Sequence, residues 1–419
     1  MPASKSPVPN WSKLRRAIAA WCGTATWLSP CGCLSASANS LQVWSLMMLY
    51  SLAALHGANP PKSAVKTSGE CFPGFSWDRV PVNIHFGKRG QMTEAELDFI
   101  ASNSDFVVLE KSHGIEALGS TEKGIADTAR RLKQRNPRVR VLFYFNAFIN
   151  WPGYDAFATY RPEWTLKSAD GRVVTHPSGT PRPDPSQAEF RVWWSAVVAQ
   201  AVTNANLDGV FADALPQARS PAMTRMVGKE KQQALVDGLR QMLELTKRKL
   251  GDRKIVLANG IRAGQHLDFL DWEGIDGVMV EHFDAFESKA PEQLKADIDS
   301  MTFAAKKGKF VVLKGWPGFS WLDPGAKDKP REEQLRLARE RITFPLACFL
   351  IGAQAGCHFC YSWGYTETMG GLDSYPEWQR PLGPPKADAV WNGLTATREF
   401  AHASVWVNLS TREARINWK

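Results

Sequence analysis

Several absences narrow what this chain can do. No G-x-G-x-x-G turn follows the first β-rich run, and "HFGKRG" at 85–90 does not supply one, so nothing marks a dinucleotide cradle. The eight His are scattered without H-x-x-x-H spacing, which removes the common helical zinc site, and no metal or cofactor is expected. A G-x-S-x-G elbow is also missing, which counts against the usual serine-hydrolase arrangement. The formal charge of +9 is not a nucleic-acid footprint. Residues 1–70 hold six Lys/Arg and one acid, leaving 45 basic and 41 acidic residues in the rest, so no nucleic-acid partner is expected. The basic run "KRK" at 247–249 falls on a polar helical stretch and reads as a solvated face.

Charge is scarcest near the N-terminus. After Lys13, Arg15 and Arg16 no charged residue appears until Lys62. An apolar stretch from Ala17 to Leu28 and "SASA" ending at Ala38 lie inside that gap, the order of a secretory signal. A second apolar run, Leu41 to Leu55, is the true signal core if translation starts near Met47. It is otherwise part of a membrane tether, although about 15 residues is short for a span. Residues 1–70 are therefore expected to be a targeting segment and linker, with the linker from Asn59 to Gly69, and the protein to be exported or anchored at the cell surface. Asn408-Leu409-Ser410 is a glycosylation sequon if the host modifies exported chains.

Cysteine gives no framework either. Of seven, Cys22, Cys31 and Cys33 fall in the targeting segment, leaving Cys71, Cys348, Cys357 and Cys360. "CHFC" at 357–360 has redox or ligand spacing but no second pair, and it sits inside an apolar run, so buried structural cysteine is the expectation. "LSPC" at 28–31 departs from a lipoprotein site at Pro30.

What remains is a chain of 419 residues, 44% hydrophobic, with ample material for a large core. Eight short β-rich runs punctuate it: "VPVNIHF" (80–86), "DFVVLEK" (105–111), "VRVLFYFNAF" (139–148), "DGVFADAL" (208–215), "KIVLANG" (254–260), "DGVMVEHF" (276–283), "KFVVLKGW" (309–316) and "GCHFCYSW" (356–363). Helical patterns separate them near 93–102, 121–136, 186–205, 220–250, 290–307 and 330–352, with a shorter one near 265–273. "TEAE" at 93–96 has capping-box spacing, and Pro185 suits a first helical turn. Eight repeats of strand then helix predict a parallel sheet closed into a (β/α)8 TIM barrel over residues 71–395. Two alternating runs in "ASVWVNLSTREARINW" predict a C-terminal β-hairpin packed on the barrel, within 396–419.

Strands four and six share one pattern. "DGVFAD" and "DGVMVE" each open on Asp-Gly-Val and carry an acid five residues after the first Asp. Alternation puts Gly209, Phe211 and Asp213 on one face, and likewise Gly277, Met279 and Glu281. Alternate strands of this barrel supply one interior layer, so Asp213 and Glu281 are expected at similar height on the C-terminal mouth, where barrel active sites lie. Glycoside hydrolysis needs such a pair, one carboxyl protonating the leaving oxygen and the other attacking the sugar or activating water. Asp213 is the expected nucleophile or base and Glu281 the expected general acid/base, with a carbohydrate as substrate. Spacing in sequence does not separate retention from inversion. The alternative for each acid is a helix cap or a rim ion pair.

Other strand ends offer polar groups for sugar hydroxyls: His85, Glu110, Lys111, Asn146, Asn259, Arg262, His282, Lys314 and Tyr361. Glu110, at the tip of strand two, is the rival catalytic acid. Of 17 Trp, Trp151, Trp316 and Trp363 follow strands three, seven and eight, where flat faces could pack on sugar rings. Two other readings stand beside the enzyme. One is a non-catalytic carbohydrate-binding barrel at the cell surface, which would not need both acids. The other is a barrel enzyme using Lys314 as a Schiff-base amine on a non-sugar substrate.

At these residues the chain resembles hypothetical glycosyl hydrolase family 15, from about Val80 to Trp418. The resemblance is carried by "VNIHFGKRG", "DFVVLEK", "DPSQAEFRVWW", "LDGVFADAL", "VEHF" and "TREFAHASVWVNL". It implies a barrel glycosidase and names no sugar. The layout is also similar to the clan of α-galactosidases and related α-glycosidases, in which the nucleophile follows strand four and the acid/base strand six. Where that clan commonly has Asp in the second role, this chain has Glu281.

Overall fold

The computed structural model describes residues 72–419. The expected signal, tether and linker, with Cys22, Cys31, Cys33 and Cys71, lie outside the described residues. Among the described residues no helix is long and apolar enough to cross a membrane.

Eight parallel strands run in sequence order around one sheet: β1 (Asn83–Phe86), β2 (Phe106–Leu109), β3 (Arg140–Asn146), β4 (Gly209–Asp213), β5 (Ile255–Asn259), β6 (Gly277–Phe283), β7 (Phe310–Gly315) and β8 (Cys357–Tyr361). A parallel bridge from Val82 to Phe359 links the first strand to the last, and the Phe359 N–H donates to the Pro81 carbonyl at 2.7 Å. The strands are buried almost throughout because helices cover their outer faces, which is why they read as continuous apolar runs. The result is the expected (β/α)8 barrel.

The longer helices are α1 (Glu94–Asn103), α2 (Thr121–Arg135), α3 (Ala188–Asn204), α4 (Lys229–Leu250), α5 (Pro291–Lys306), α6 (Arg331–Arg341) and α7 (Thr343–Gly352). The capping box predicted at 93–96 is present: Thr93 Oγ1 accepts from the Glu96 N–H at 3.2 Å, and Glu96 Oε2 accepts from the Thr93 N–H at 2.8 Å. Three expected helices differ. The stretch 220–250 breaks at Gly228, whose φ of 82° ends one short helix before α4 begins. The stretch 330–352 breaks at Ile342, because Pro345 in the first turn of α7 has no N–H to continue the ladder from α6. Residues 265–273 form only a 3-10 turn, Leu267–Asp271. Pro185 lies ahead of α3 rather than in its first turn.

The C-terminus is larger than the expected hairpin. The hairpin exists as β11 (Ala403–Asn408) and β12 (Glu413–Trp418), but β9 (Val390–Asn392) and β10 (Thr395–Glu399) extend it to a four-stranded antiparallel sheet. That sheet packs on α7, whose other side faces the barrel. Burial from both sides explains why α7, "TFPLACFLIG", is apolar all round. Arg398 of β10 is buried beneath its C-terminus and donates to the carbonyls of Leu350 (2.8 Å) and Ala353 (2.6 Å), completing carbonyls the helix leaves unmet.

Candidate active site

Strand register brings the two acids together. Asn146 of β3 pairs with Asp213 of β4, and Ala212 pairs with Ala258, which sets Asp213 beside Asn259. Asn259 pairs with Met279, so Glu281 stands two residues farther along β6. A barrel of eight strands with a shear of eight advances about one residue per strand, so two residues over two strands keeps both acids at one height.

Asn259 joins them. Its amide Nδ2 donates to Asp213 Oδ1 at 2.8 Å and to Glu281 Oε2 at 2.6 Å. These two oxygens cannot be farther apart than the two bonds laid end to end. That caps the nearest oxygens of the pair at the upper end of the about 5–5.5 Å typical of retaining glycosidases, short of the about 6.5–9.5 Å that admits a water between the acids.

The donors around each acid differ. Asp213 accepts four hydrogen bonds: Oδ2 takes the Tyr144 hydroxyl (2.6 Å) and Asn146 Nδ2 (3.0 Å), while Oδ1 takes Asn259 and the Ala214 N–H (2.6 Å). Asn146 also donates to the Tyr144 oxygen at 2.8 Å, which turns that hydroxyl's proton toward Asp213. All four sites on the Asp213 carboxylate are filled by donors, an arrangement that favours its ionised form. On Glu281, Oε1 accepts the Tyr365 hydroxyl alone (2.8 Å) and retains room for a proton. Its Oε2 faces Asn259 and, at 3.4 Å, His282 Nε2. From behind, Trp316 Nε1 donates to the Glu281 backbone carbonyl at 2.8 Å.

Glu281 is buried and Asp213 partly so, and because the two stand so close they titrate as a pair. Against burial, the hydrogen bond and charge of His282, then the charges of Lys314 and His85, hold Glu281 well below the usual carboxylate range. Burial, and then the charge of Glu281, push Asp213 up. The pair thus loses its first proton early and its last one late, and carries one proton over a wide pH window. The charges around the pair favour this proton on Asp213 and the donors favour it on Glu281 Oε1; the donors decide, because four hydrogen bonds donated to Asp213 leave it no oxygen free to hold a proton.

The rival acid is differently engaged. Glu110 Oε1 meets His85 Nε2 at 2.8 Å and Oε2 meets Lys111 Nζ at 2.7 Å. Against its burial, the Lys111 charge first and the His85 hydrogen bond next hold Glu110 at about 2, and both of its oxygens are engaged, which leaves neither free to carry a transferable proton. Lys111 Nζ in turn lies 5.0 Å from the Tyr144 ring centre and 5.4 Å from that of Trp151. Lys314 is buried beneath Tyr365, 3.8 Å from its ring centre, and donates to the Gly364 carbonyl at 2.9 Å; burial lowers its amine. His282 Nδ1 meets Glu287 Oε2 at 2.9 Å, and Arg262 pairs with the same Glu287.

His85, Glu110, Lys111, Asn146, Trp151, Asn259, Arg262, His282, Lys314 and Trp316 thus connect to the acid pair through contacts at one mouth. Tyr361 and Trp363 do not. Tyr361 shares the outward face of β8 with Phe359 and donates to the Ala338 carbonyl of α6 at 2.8 Å, as strict alternation along the strand requires. Trp363, buried against Phe319, and Trp316, buried against Trp321, offer no open face to a sugar ring. Cys357 and Cys360 are buried free thiols, pushed up to about 12 and about 11 by burial, which leaves them protonated. Sequence reasoning missed Tyr144, Tyr365, Glu287, Phe286 and Trp321. Tyr144 was within reach, since alternation places it on the face of Asn146; the others lie on loops without periodicity.

A family model described as Hypothetical glycosyl hydrolase family 15 matches residues 133–404. No curated protein sequence matches the chain. Among solved structures, an α-amylase from Geobacillus thermoleovorans complexed with acarbose is 10% identical, with a TM-score of 0.46, over 79% of this chain and 86% of that one. Ega3 from Aspergillus fumigatus, in complex with galactosamine, is 9% identical, with a TM-score of 0.43, over 73% and 96%. The α-galactosidase TtGalA from Thermus thermophilus, in complex with p-nitrophenyl α-D-galactopyranoside, is 16% identical, with a TM-score of 0.42, over 80% and 67%.

Proposed function

The chain belongs to hypothetical glycosyl hydrolase family 15, and from that premise we propose that it cleaves O-glycosidic bonds with retention of configuration, using Asp213 as nucleophile and Glu281 as general acid/base. The observation that supports this reading is the Asn259 amide shared by both carboxylates, which keeps their nearest oxygens close, as a retaining pair needs.

The steps follow from the donors. Asp213, ionised under four hydrogen bonds, attacks the anomeric carbon and forms a glycosyl ester, while Glu281 passes the proton on Oε1 to the departing oxygen. Glu281, now a carboxylate, takes a proton from water as that water cleaves the ester, and Asp213 returns to its ionised form. Tyr144 and Asn146 release and recapture Asp213 Oδ2 as its charge falls and returns.

Reducing-sugar release from a polysaccharide panel by the full-length chain, beside Asp213→Asn and Glu281→Gln, tests the proposal. Release by the wild type that falls at least about 100-fold in both variants is the expected result. Release unaffected by either change would remove the assignment, and saturable glycan binding without release by the wild type would replace an enzyme with a binding module.

A further inference from the structure

Beyond the acid pair, the mouth carries two aromatic faces placed on opposite sides of it. In the closed strand order, β3 and β7 are four strands apart and so stand across the barrel from each other. Trp151 follows β3 and Trp321 follows β7, and both are partly exposed. Tyr365, whose hydroxyl is on Glu281, lies between them. Its ring centre is 4.9 Å from that of Trp321 and 5.6 Å from Lys111 Nζ, which is itself 5.4 Å from the Trp151 ring centre. Trp321 is braced from behind by Trp316 (5.7 Å, interplanar 29°).

Unmet polar atoms point the same way. Trp151 Nε1 is a buried donor with no hydrogen-bond partner among the described residues, and Asn259 Oδ1, on the amide that joins the two acids, is a buried acceptor in the same condition. Buried polar groups are nearly always met, and those left over at a mouth are groups for a ligand to meet. An aromatic face with an edge donor suits a sugar, which has an apolar C–H face and hydroxyls around it.

We propose that Trp151 and Trp321 are sugar-binding faces on the two sides of the scissile bond, so that the substrate is an oligo- or polysaccharide held across the acid pair rather than a single sugar held in a closed pocket. This rests on the glycosidase reading and specifies its substrate class. The charges at the mouth are close to balanced, with Asp213, Glu281, Glu110 and Glu287 against Lys111, Lys314, Arg262 and His282, so recognition works through faces and hydroxyls.

The test is calorimetric titration of the full-length Asp213→Asn protein with malto-, cello-, chito- and galacto-linked hexasaccharides, then of the same protein carrying Trp151→Ala or Trp321→Ala. Binding of at least one hexasaccharide that weakens at least about tenfold in each Trp→Ala variant, and is largely restored by Trp321→Phe, supports the proposal. No hexasaccharide binding by the parent, or equal affinity in parent and both Trp→Ala variants, overturns it. Paired loss of affinity alongside a wild type that hydrolyses nothing would leave the two faces standing and defeat the hydrolytic reading alone.

Discussion

The two ends of β4 and β6 handle their acids in opposite ways. Asp208 and Asp276 precede these strands, and each repeats the same contacts. Asp208 Oδ2 accepts the Val141 N–H of β3 at 2.9 Å, and Asp276 Oδ2 accepts the Val256 N–H of β5 at 2.9 Å. Each is neutralised by a cation, Asp208 by Lys133 (2.7 Å) and Arg140 (3.3 Å), Asp276 by Lys247 (2.8 Å). At the other end, the hydrogen bonds of Asp213 come only from neutral donors, and Glu281 accepts from Tyr365 and Asn259, with no Lys or Arg ion-paired to either acid among the described residues and only His282 beside Glu281 at 3.4 Å. One repeated sequence thus supplies acids that close the sheet at its base and acids left chemically available at its mouth.

Exchanging charge for amide at the two ends should therefore separate activity from stability. Asp213→Asn is expected to cost at least about 100-fold in kcat/KM and only about 1 kcal/mol of stability, because the donors its amide nitrogen leaves unmet are neutral. Asp208→Asn should do the reverse, costing about 2–3 kcal/mol of stability by removing the buried charge that faces Lys133 and Arg140, with kcat within about twofold of wild type. Thermal melts run beside initial rates decide this, and parallel losses in both variants would dissolve the distinction.

A smaller effect is expected at Asn259. Asn259→Ala removes the amide held by both acids and should lower kcat by about 10–100-fold, read from steady-state kinetics. Smaller still is a shift in pH dependence. His282 favours the ionised form of Glu281, so His282→Gln should make the Glu281 proton harder to lose and move the alkaline limb of kcat/KM up by about one pH unit. The acid limb, which reports ionisation of Asp213, should move less.

The barrel was legible because its strands are apolar runs separated by amphipathic helices, and the acid pair because a five-residue repeat marks both strands. The limits were local. β9 and β10 were missed because "VWN" and "TATRE" show no apolar alternation, and the arginine in β10 is buried only because α7 ends above it. The helix breaks at Gly228 and Pro345 were readable from residue chemistry, and so was the outward face of Tyr361. Tyr365, Trp321 and Glu287 were not, since they reach the site from loops whose paths depend on contacts made after folding.

The most direct test of the paired carboxylates is the anomeric form of the first product, followed by proton NMR on a substrate the wild type cleaves. Retention is the predicted result, because acids sharing one amide leave no room for a water between them and the sugar. An inverted first product would contradict the account, since it would require the two carboxyl groups to work at a separation that the Asn259 bridge does not allow.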